Sequence, residues 1–118
     1  MTQRPTIDAY SFGSIVIDGE KHTSDVIVYP DGRVEDSWWR TGGHRLSAED
    51  IPALIESAPD VIVAGTGAEG MMEPDRELVK LLYDRGVEFR VMKSKKAAEE
   101  YNRLSGKKKV GACFHLTC

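Results

Sequence analysis

The segment Asp60-Val61-Ile62-Val63-Ala64-Gly65-Thr66-Gly67-Ala68-Glu69-Gly70 constrains the fold more than any other, because an apolar, β-branched run passes directly into glycines spaced G-x-G-x-x-G. The run reads as a buried strand of about four residues, Val61 to Ala64, feeding a glycine-rich turn. Glycines there let the backbone take positive φ and bring bare N–H groups close to a ligand. A full dinucleotide site does not follow. Pro74 prevents one continuous helix from Gly67, the motif is central, and the next strand ends in Met92-Lys93-Ser94 without the carboxylate that would hold a ribose. Two readings remain, a small-ligand or anion site and a structural tight turn. For the ligand site, the amides from Gly65 to Gly70 and the Thr66 hydroxyl would be the donors, with Glu69 opposing an anion unless it turns away.

Around this loop the pattern alternates strands with helices. Before it, Phe12–Ile17, Asp25–Tyr29 and Val34–Trp39 read as antiparallel strands separated by Asp18-Gly19 and Pro30-Asp31-Gly32 turns. Ser47 with Asp50 three residues on resembles a capping box, and Ile51, Leu54, Ile55 and Ala58 recur at helical spacing, so a helix is predicted over Ala48–Ser57 with Pro52 in its first turn. After the loop, Pro74 should open a second helix with Leu78, Leu81 and Leu82 inward and Gly86 as its stop. A strand over Val87–Met92 follows. Ser94 should cap a third helix with Ala97, Ala98, Tyr101 and Leu104 on one face, ahead of a last strand over Val110–Leu116. Strands joined through helices pair in parallel with right-handed crossovers. The fold class is therefore α/β, with N-terminal hairpins and a mixed, largely parallel sheet flanked by three helices. At 118 residues and 41% hydrophobic content, the chain is expected to form one domain over residues 1–118.

Charge and cysteines narrow the setting. The net charge is −3, yet Lys93–Lys109 carries seven basic residues against two acidic, +5, which leaves −8 for the rest. With few aromatics interleaved and no nucleic-acid motif, that basic stretch reads as a solvated face, and nucleic acid is not expected as a partner. No run approaches the roughly 18 apolar residues of a membrane span, and Met1–Asp8 lacks the apolar core of a signal peptide. Cys113 and Cys118 lie five residues apart in an extended segment, too far to bridge each other, which suggests free thiols in a reducing, cytoplasmic compartment.

Trp38-Trp39-Arg40 is the second unusual feature. Adjacent strand residues face opposite sides, so one indole should stand partly exposed, as a pocket wall, a protein interface or a cover over the hairpin edge. If the Thr41–Arg45 loop folds toward the glycines, Arg40, His44 and Thr66 would share one cleft. His44 and His115 are conceivable bases and Cys113 and Cys118 conceivable nucleophiles, but no nucleophile elbow or carboxylate pair supports them. Cys113 and His115 share one strand face, and two same-face ligands do not make a zinc site. No catalytic residue, metal ligand or cofactor is assigned from the residues.

Several motifs occur together in a telling order: Ser11-Phe12-Gly13 with Ile15, Asp25-Val26-Ile27-Val28-Tyr29-Pro30-Asp31-Gly32, Trp39-Arg40, His44, Gly65-Thr66-Gly67 with Gly70-Met71-Met72, Tyr101-Asn102, and Phe114-His115-Leu116-Thr117-Cys118. Over nearly the whole chain they resemble the small Mth-type domain family. That family includes an adipogenesis-associated protein of animals, a mitochondrial complex I assembly factor and many uncharacterised bacterial and archaeal proteins. Met92-Lys93-Ser94-Lys95 departs from the Thr-rich entry to the last helix that relatives often carry. The resemblance implies a small α/β fold of its own type, with assembly or regulatory roles for some members and no catalytic residues to carry over.

The expectation is a non-enzymatic binding or assembly and regulatory domain. Its pocket or partner surface would be built from Gly65, Thr66, Gly67, Gly70, Trp39, Arg40 and His44. The occupant would be a protein partner, a small anionic ligand or a second copy of the chain. The alternative is a small enzyme acting on an anionic small molecule at the glycine loop.

Overall fold

The computed structural model describes residues 5–118, so the part of the Met1–Asp8 reading that concerns residues 1–4 lies outside it. Three short strands open the chain: β1 (Ile7–Ser11), β2 (Ser14–Ile17) and β3 (Glu20–His22), paired antiparallel in that order. The sequence pattern places one strand here, beginning at Phe12. In fact Phe12 and Gly13 form the β1–β2 turn, with Gly13 at φ +82°. β1 and β3 escape the pattern because most of their residues are exposed, leaving little alternation to read.

β4 (Val26–Val28) and β5 (Val34–Glu35) form the next hairpin around the expected Pro30-Asp31-Gly32 turn. β5 is only two residues long and does not reach Trp39. Ser37 takes a positive φ of +57°, and the Trp38 amide bonds back to the Asp25 carbonyl at 3.0 Å, so the chain leaves the sheet before the tryptophans. The expected first helix is divided into a 3-10 turn (Ala48–Asp50) and α1 (Pro52–Glu56), with Pro52 at the first helical position where its missing N–H costs nothing.

β7 (Val61–Thr66) follows β6 (Arg45–Leu46), and β8 (Glu73–Pro74) pairs in parallel with β6. Pro74 therefore belongs to a bridge and does not open a helix. α2 (Arg76–Asp84) is capped by Asp75, whose carboxylate accepts from the Leu78 amide at 2.8 Å. β9 (Glu88–Met92), α3 (Ser94–Leu104) and β10 (Val110–His115) complete the order. Ser94 is the first residue of α3 and not its cap; its hydroxyl is used elsewhere.

The main sheet runs β5-β4-β10-β7-β9, with β10, β7 and β9 parallel and the β4–β5 hairpin antiparallel along one side. All six residues of β7 and of β10 are buried, as expected of parallel strands covered on both faces. Alternate side chains feed two cores. Val61, Val63, Ala112 and Phe114 pack with Tyr101 and Leu104 of α3 and with Ile7, Ile15 and Ile17 of the small sheet. Ile62, Ala64 and Cys113 pack on the other side with Leu54 and Ile55 of α1, Leu78 and Leu82 of α2, and Trp38. Both the small sheet with α3 and the two shorter helices thus press on β7 and β10. Their carboxyl ends, at Thr66 and His115, are held at one edge of this sandwich.

Candidate functional site

Two polar arrangements meet at the end of β10. The first joins it to the glycine loop. The Ser94 hydroxyl donates to the His115 carbonyl at 2.5 Å and accepts from the Gly67 amide at 2.9 Å, while the Ser94 amide donates to the Gly67 carbonyl at 3.1 Å. Beyond it, the Ala68 amide donates to the Thr117 carbonyl at 2.8 Å, and the Glu69 and Met71 amides both donate to the Cys118 carbonyl. The Thr66 hydroxyl donates to the Met92 carbonyl at 3.0 Å. The glycines are needed for this contact with the chain itself. Gly67 has φ +105°, and a Cβ there would lie 2.4 Å from the Thr117 carbonyl oxygen; a Cβ on Gly65 would lie 2.8 Å from the Phe114 ring and from the Ser94 hydroxyl.

The second arrangement gathers Asp25, just ahead of β4, Arg40 from the loop after β5, and His115. Asp25 accepts the Leu116 amide on Oδ1 and Arg40 Nη1 on Oδ2, each at 2.8 Å, and Oδ2 lies 2.8 Å from His115 Nδ1. Arg40 Nη2 is 2.9 Å from the same Nδ1, and Arg40 Nε donates to the Gly43 carbonyl at 2.7 Å, so all three guanidinium nitrogens are engaged within the fold. The guanidinium also lies 4.8 Å from the centre of the Trp38 ring, whose Nε1 donates to the Asp50 carbonyl at 2.8 Å. The Arg40 and Asp25 side chains are only 6% and 16% exposed, which makes this a structural ion pair and not a surface one.

The expected residues therefore fall into three groups. Arg40 and His44 come together at His115, with the His44 and His115 ring centres 5.7 Å apart. Gly65, Thr66 and Gly67 sit on the opposite side of His115, reached through the β7–β10 pairing and Ser94; Gly70 lies near the Lys93 side chain. Trp39 is 84% exposed, while its neighbour Trp38 is buried in the core. One indole in and one out is what the pair suggested, although a loop produces it here and not a strand. A cleft of about 730 Å³, lined in part by Gly42, His44, Arg45 and Met71, and a depression of about 350 Å³ beside Asp25, Trp39 and Arg40 open next to the cluster.

The sequence left Asp25 and Ser94 out of the site and offered His115 only as a conceivable base. The signal was present for two of them, since Asp25 and His115 both stand in the ordered motifs, but only the tertiary fold shows that they touch. Both cysteines are free thiols. Cys113 is fully buried, and that burial pushes its thiol up to about 12, whereas Cys118 is exposed.

Comparison with known proteins places this small α/β domain in the Mth-type family. The chain belongs to the family described as proteins of unknown function, DUF498/DUF598, which matches residues 7–115. Among solved structures it is similar to the conserved hypothetical protein PH1505 from Pyrococcus horikoshii, with 33% identity over 96% of this chain and 99% of that one, at a TM-score of 0.85. It is also similar to MT938, with 27% identity over 97% and 99% of the two chains and a TM-score of 0.79. A Mth938-like domain protein from Bordetella pertussis shares the fold at 21% identity, over 95% and 85% of the chains, with a TM-score of 0.67. No helix among the described residues is long and apolar enough to cross a membrane.

Proposed function

We propose that this chain is a binding domain of the assembly or regulatory kind, which docks a protein partner through the end of the sheet where β10 terminates. The observation that carries this reading is the exposure of Trp39 at 84% on a loop that Arg40 braces against Asp25 and His115. Solvent-exposed tryptophan is a poor choice for a surface with no partner, and Trp, Phe and Met are the residues that interfaces favour. Phe12 and Met71 stand clear as well. Each of the three is tied to the same short segment: Gly13, beside Phe12, donates to the Leu116 carbonyl, Arg40, beside Trp39, contacts His115, and the Met71 amide donates to the Cys118 carbonyl.

The bracing matters energetically. A partner that closes on an already ordered loop does not bear the cost of ordering it, roughly 0.5–1.5 kcal/mol for each mobile side chain. An anion at the glycine loop, by contrast, would have to displace Thr117 and Cys118 from the amides of Ala68, Glu69 and Met71. Two free thiols accord with a reducing, cytoplasmic setting.

The test is quantitative cross-linking in the native host with the wild-type chain and with Trp39→Ala. The variant should retain its thermal midpoint and lose specific partners. If both chains recover the same partners in the same amounts, the reading fails. Light scattering on the same pair separates a foreign partner from a second copy, since self-association would make the wild type dimeric and the variant monomeric.

A further inference from the structure

The two edges of the main sheet are unlike. β5 ends one side with two residues, whereas β9 ends the other with five, Glu88-Phe89-Arg90-Val91-Met92, in unbroken register with β7. Short edge strands, prolines and bulges keep an edge from pairing with another chain, and β9 has none of them. The Glu88 amide donates to the Asp60 carbonyl at 3.0 Å, on the β7 side. In a parallel ladder the backbone groups of alternate residues turn to the same neighbour, so those of Glu88, Arg90 and Met92 serve β7 while those of Phe89 and Val91 face outward. No strand lies on that outer side among the described residues.

The charges of β9 select what fits there. Glu88 and Arg90 stand on the α3 face, where Arg90 pairs with Glu100, while Val87 and Phe89 pack on the α2 side and Val91, in step with them, is 39% exposed. The two-fold antiparallel registers open to this strand centre on Phe89, Arg90 or Val91. Centring on Arg90 sets two guanidinium groups against each other, and centring on Val91 runs Glu88 against Ser94, already the first residue of α3. Centring on Phe89 sets Glu88 of each copy against Arg90 of the other. Residues directly opposite in an antiparallel pair are close enough for unlike charges to attract and like charges to repel, so this register is the one the side chains favour. Other charges keep the joint balanced, since Lys108 lies 4.0 Å from Glu88 and Arg103 shares Glu100 with Arg90.

We propose that β9 pairs antiparallel with β9 of a second copy of this chain, about a two-fold axis at Phe89, and so joins two main sheets into one. In this register Phe89 exchanges both main-chain hydrogen bonds with its counterpart, and each Val91 amide donates to the other copy's Val87 carbonyl. The Val87 amide is already taken by the Leu82 carbonyl at 2.9 Å, so the ladder closes there. The axis stands perpendicular to the sheet and sets the two α2 helices on the same side of it. The large apolar side chains that α2 and β9 leave exposed in one chain are Val79, Tyr83 and Val91. A two-fold contact of this kind is self-complementary, and assembly stops at the dimer. It uses the edge opposite β5 and does not rest on the Trp39 reading.

The experiment is sedimentation of the intact chain at roughly 100 μM, above the micromolar Kd of a weak interface, with amide hydrogen exchange on the same samples. The wild type should sediment as a dimer, and the Phe89 and Val91 amides should exchange more slowly as the concentration rises. Arg90→Glu sets acid against acid across the joint and Glu88→Arg sets base against base; each should weaken the dimer by about tenfold or more. Mixed in equal amounts, the two variants should form a heterodimer in which every acid again faces a base, which separates lost charge pairing from lost folding. Trp39→Ala should leave the dimer intact. A monomeric wild type, a dimer unmoved by either charge reversal, a mixture that stays monomeric, a dimer lost in Trp39→Ala, or Phe89 and Val91 amides that exchange equally fast at every concentration would each overturn the proposal.

Discussion

The two sides of His115 handle buried polarity in different ways. On the Ser94 side the polar groups are paired within the fold: the hydroxyl both donates and accepts, and the Ala68, Glu69 and Met71 amides end on carbonyls of residues 117 and 118. On the Arg40 side the ion pair is complete, yet one nitrogen of the imidazole it surrounds has no partner among the described residues. The comparison separates two roles that a sequence motif can suggest equally well. A glycine-rich turn whose amides are used inside the fold acts as a clasp, holding the last residues down. The less conspicuous cluster, assembled from three distant parts of the chain, keeps one polar atom without a partner among the described residues.

Substitutions on the two sides can break that contrast. The largest effect is expected for Gly67→Val, which adds a left-handed backbone penalty to a collision with the Thr117 carbonyl and should cost about 4 kcal/mol in urea denaturation. Stability close to wild type would mean that the clasp is dispensable and the loop amides can be freed for a ligand. Arg40→Met comes next. It leaves the largely buried Asp25 carboxylate unpaired and should cost about 3 kcal/mol, part of which Asp25→Asn in the same chain should restore. A cost below about 1 kcal/mol would place the pair among surface ion pairs, which contribute little.

Ser94→Ala removes one hydroxyl and leaves both the Gly67 amide and the His115 carbonyl short of a partner, for an expected loss of about 2 kcal/mol. Should Ser94→Ala prove more damaging than Arg40→Met, the clasp would be the dominant anchor of β10. The smallest test leaves the fold intact. At pH 8 a disulfide thiol reagent should modify Cys118 alone in the native chain and both cysteines in denaturant. The Cys113 thiol, pushed up to about 12 by burial, yields almost no thiolate there. Native modification of both would show that the face of β10 carrying Cys113 opens readily.

Much of the architecture was legible in the sequence because its signals are local. The apolar run Val61–Ala64, the helical spacing of Ala97, Ala98, Tyr101 and Leu104, and the glycines after them place β7 and α3 to within two residues. Such patterns record which side of each element is buried, and burial drives folding. The short strands were not legible. β1 and β3 have largely exposed residues, and β6 and β8 are two residues each, too brief for any period to register. Pro74 and Ser94 carry helix-start signals that the fold uses otherwise, one as a bridge residue and one as a buried link, because the neighbours across space offered better partners than the helix end did.

The site divides along the same line. Trp38-Trp39-Arg40 and His44 announced themselves by composition, and the chain alone determined that one indole would be exposed, since two adjacent bulky side chains cannot both enter one core. That Arg40 is locked to Asp25, that His115 joins Asp25 from 90 residues away, and that the His44 ring packs edge-on against that of His115 were decided only by the tertiary structure. Pairwise polar contacts depend on distances that no local pattern encodes. They are set when β4 and β10 become neighbours in the sheet, and the chemistry left over at Nε2 is a property of that meeting.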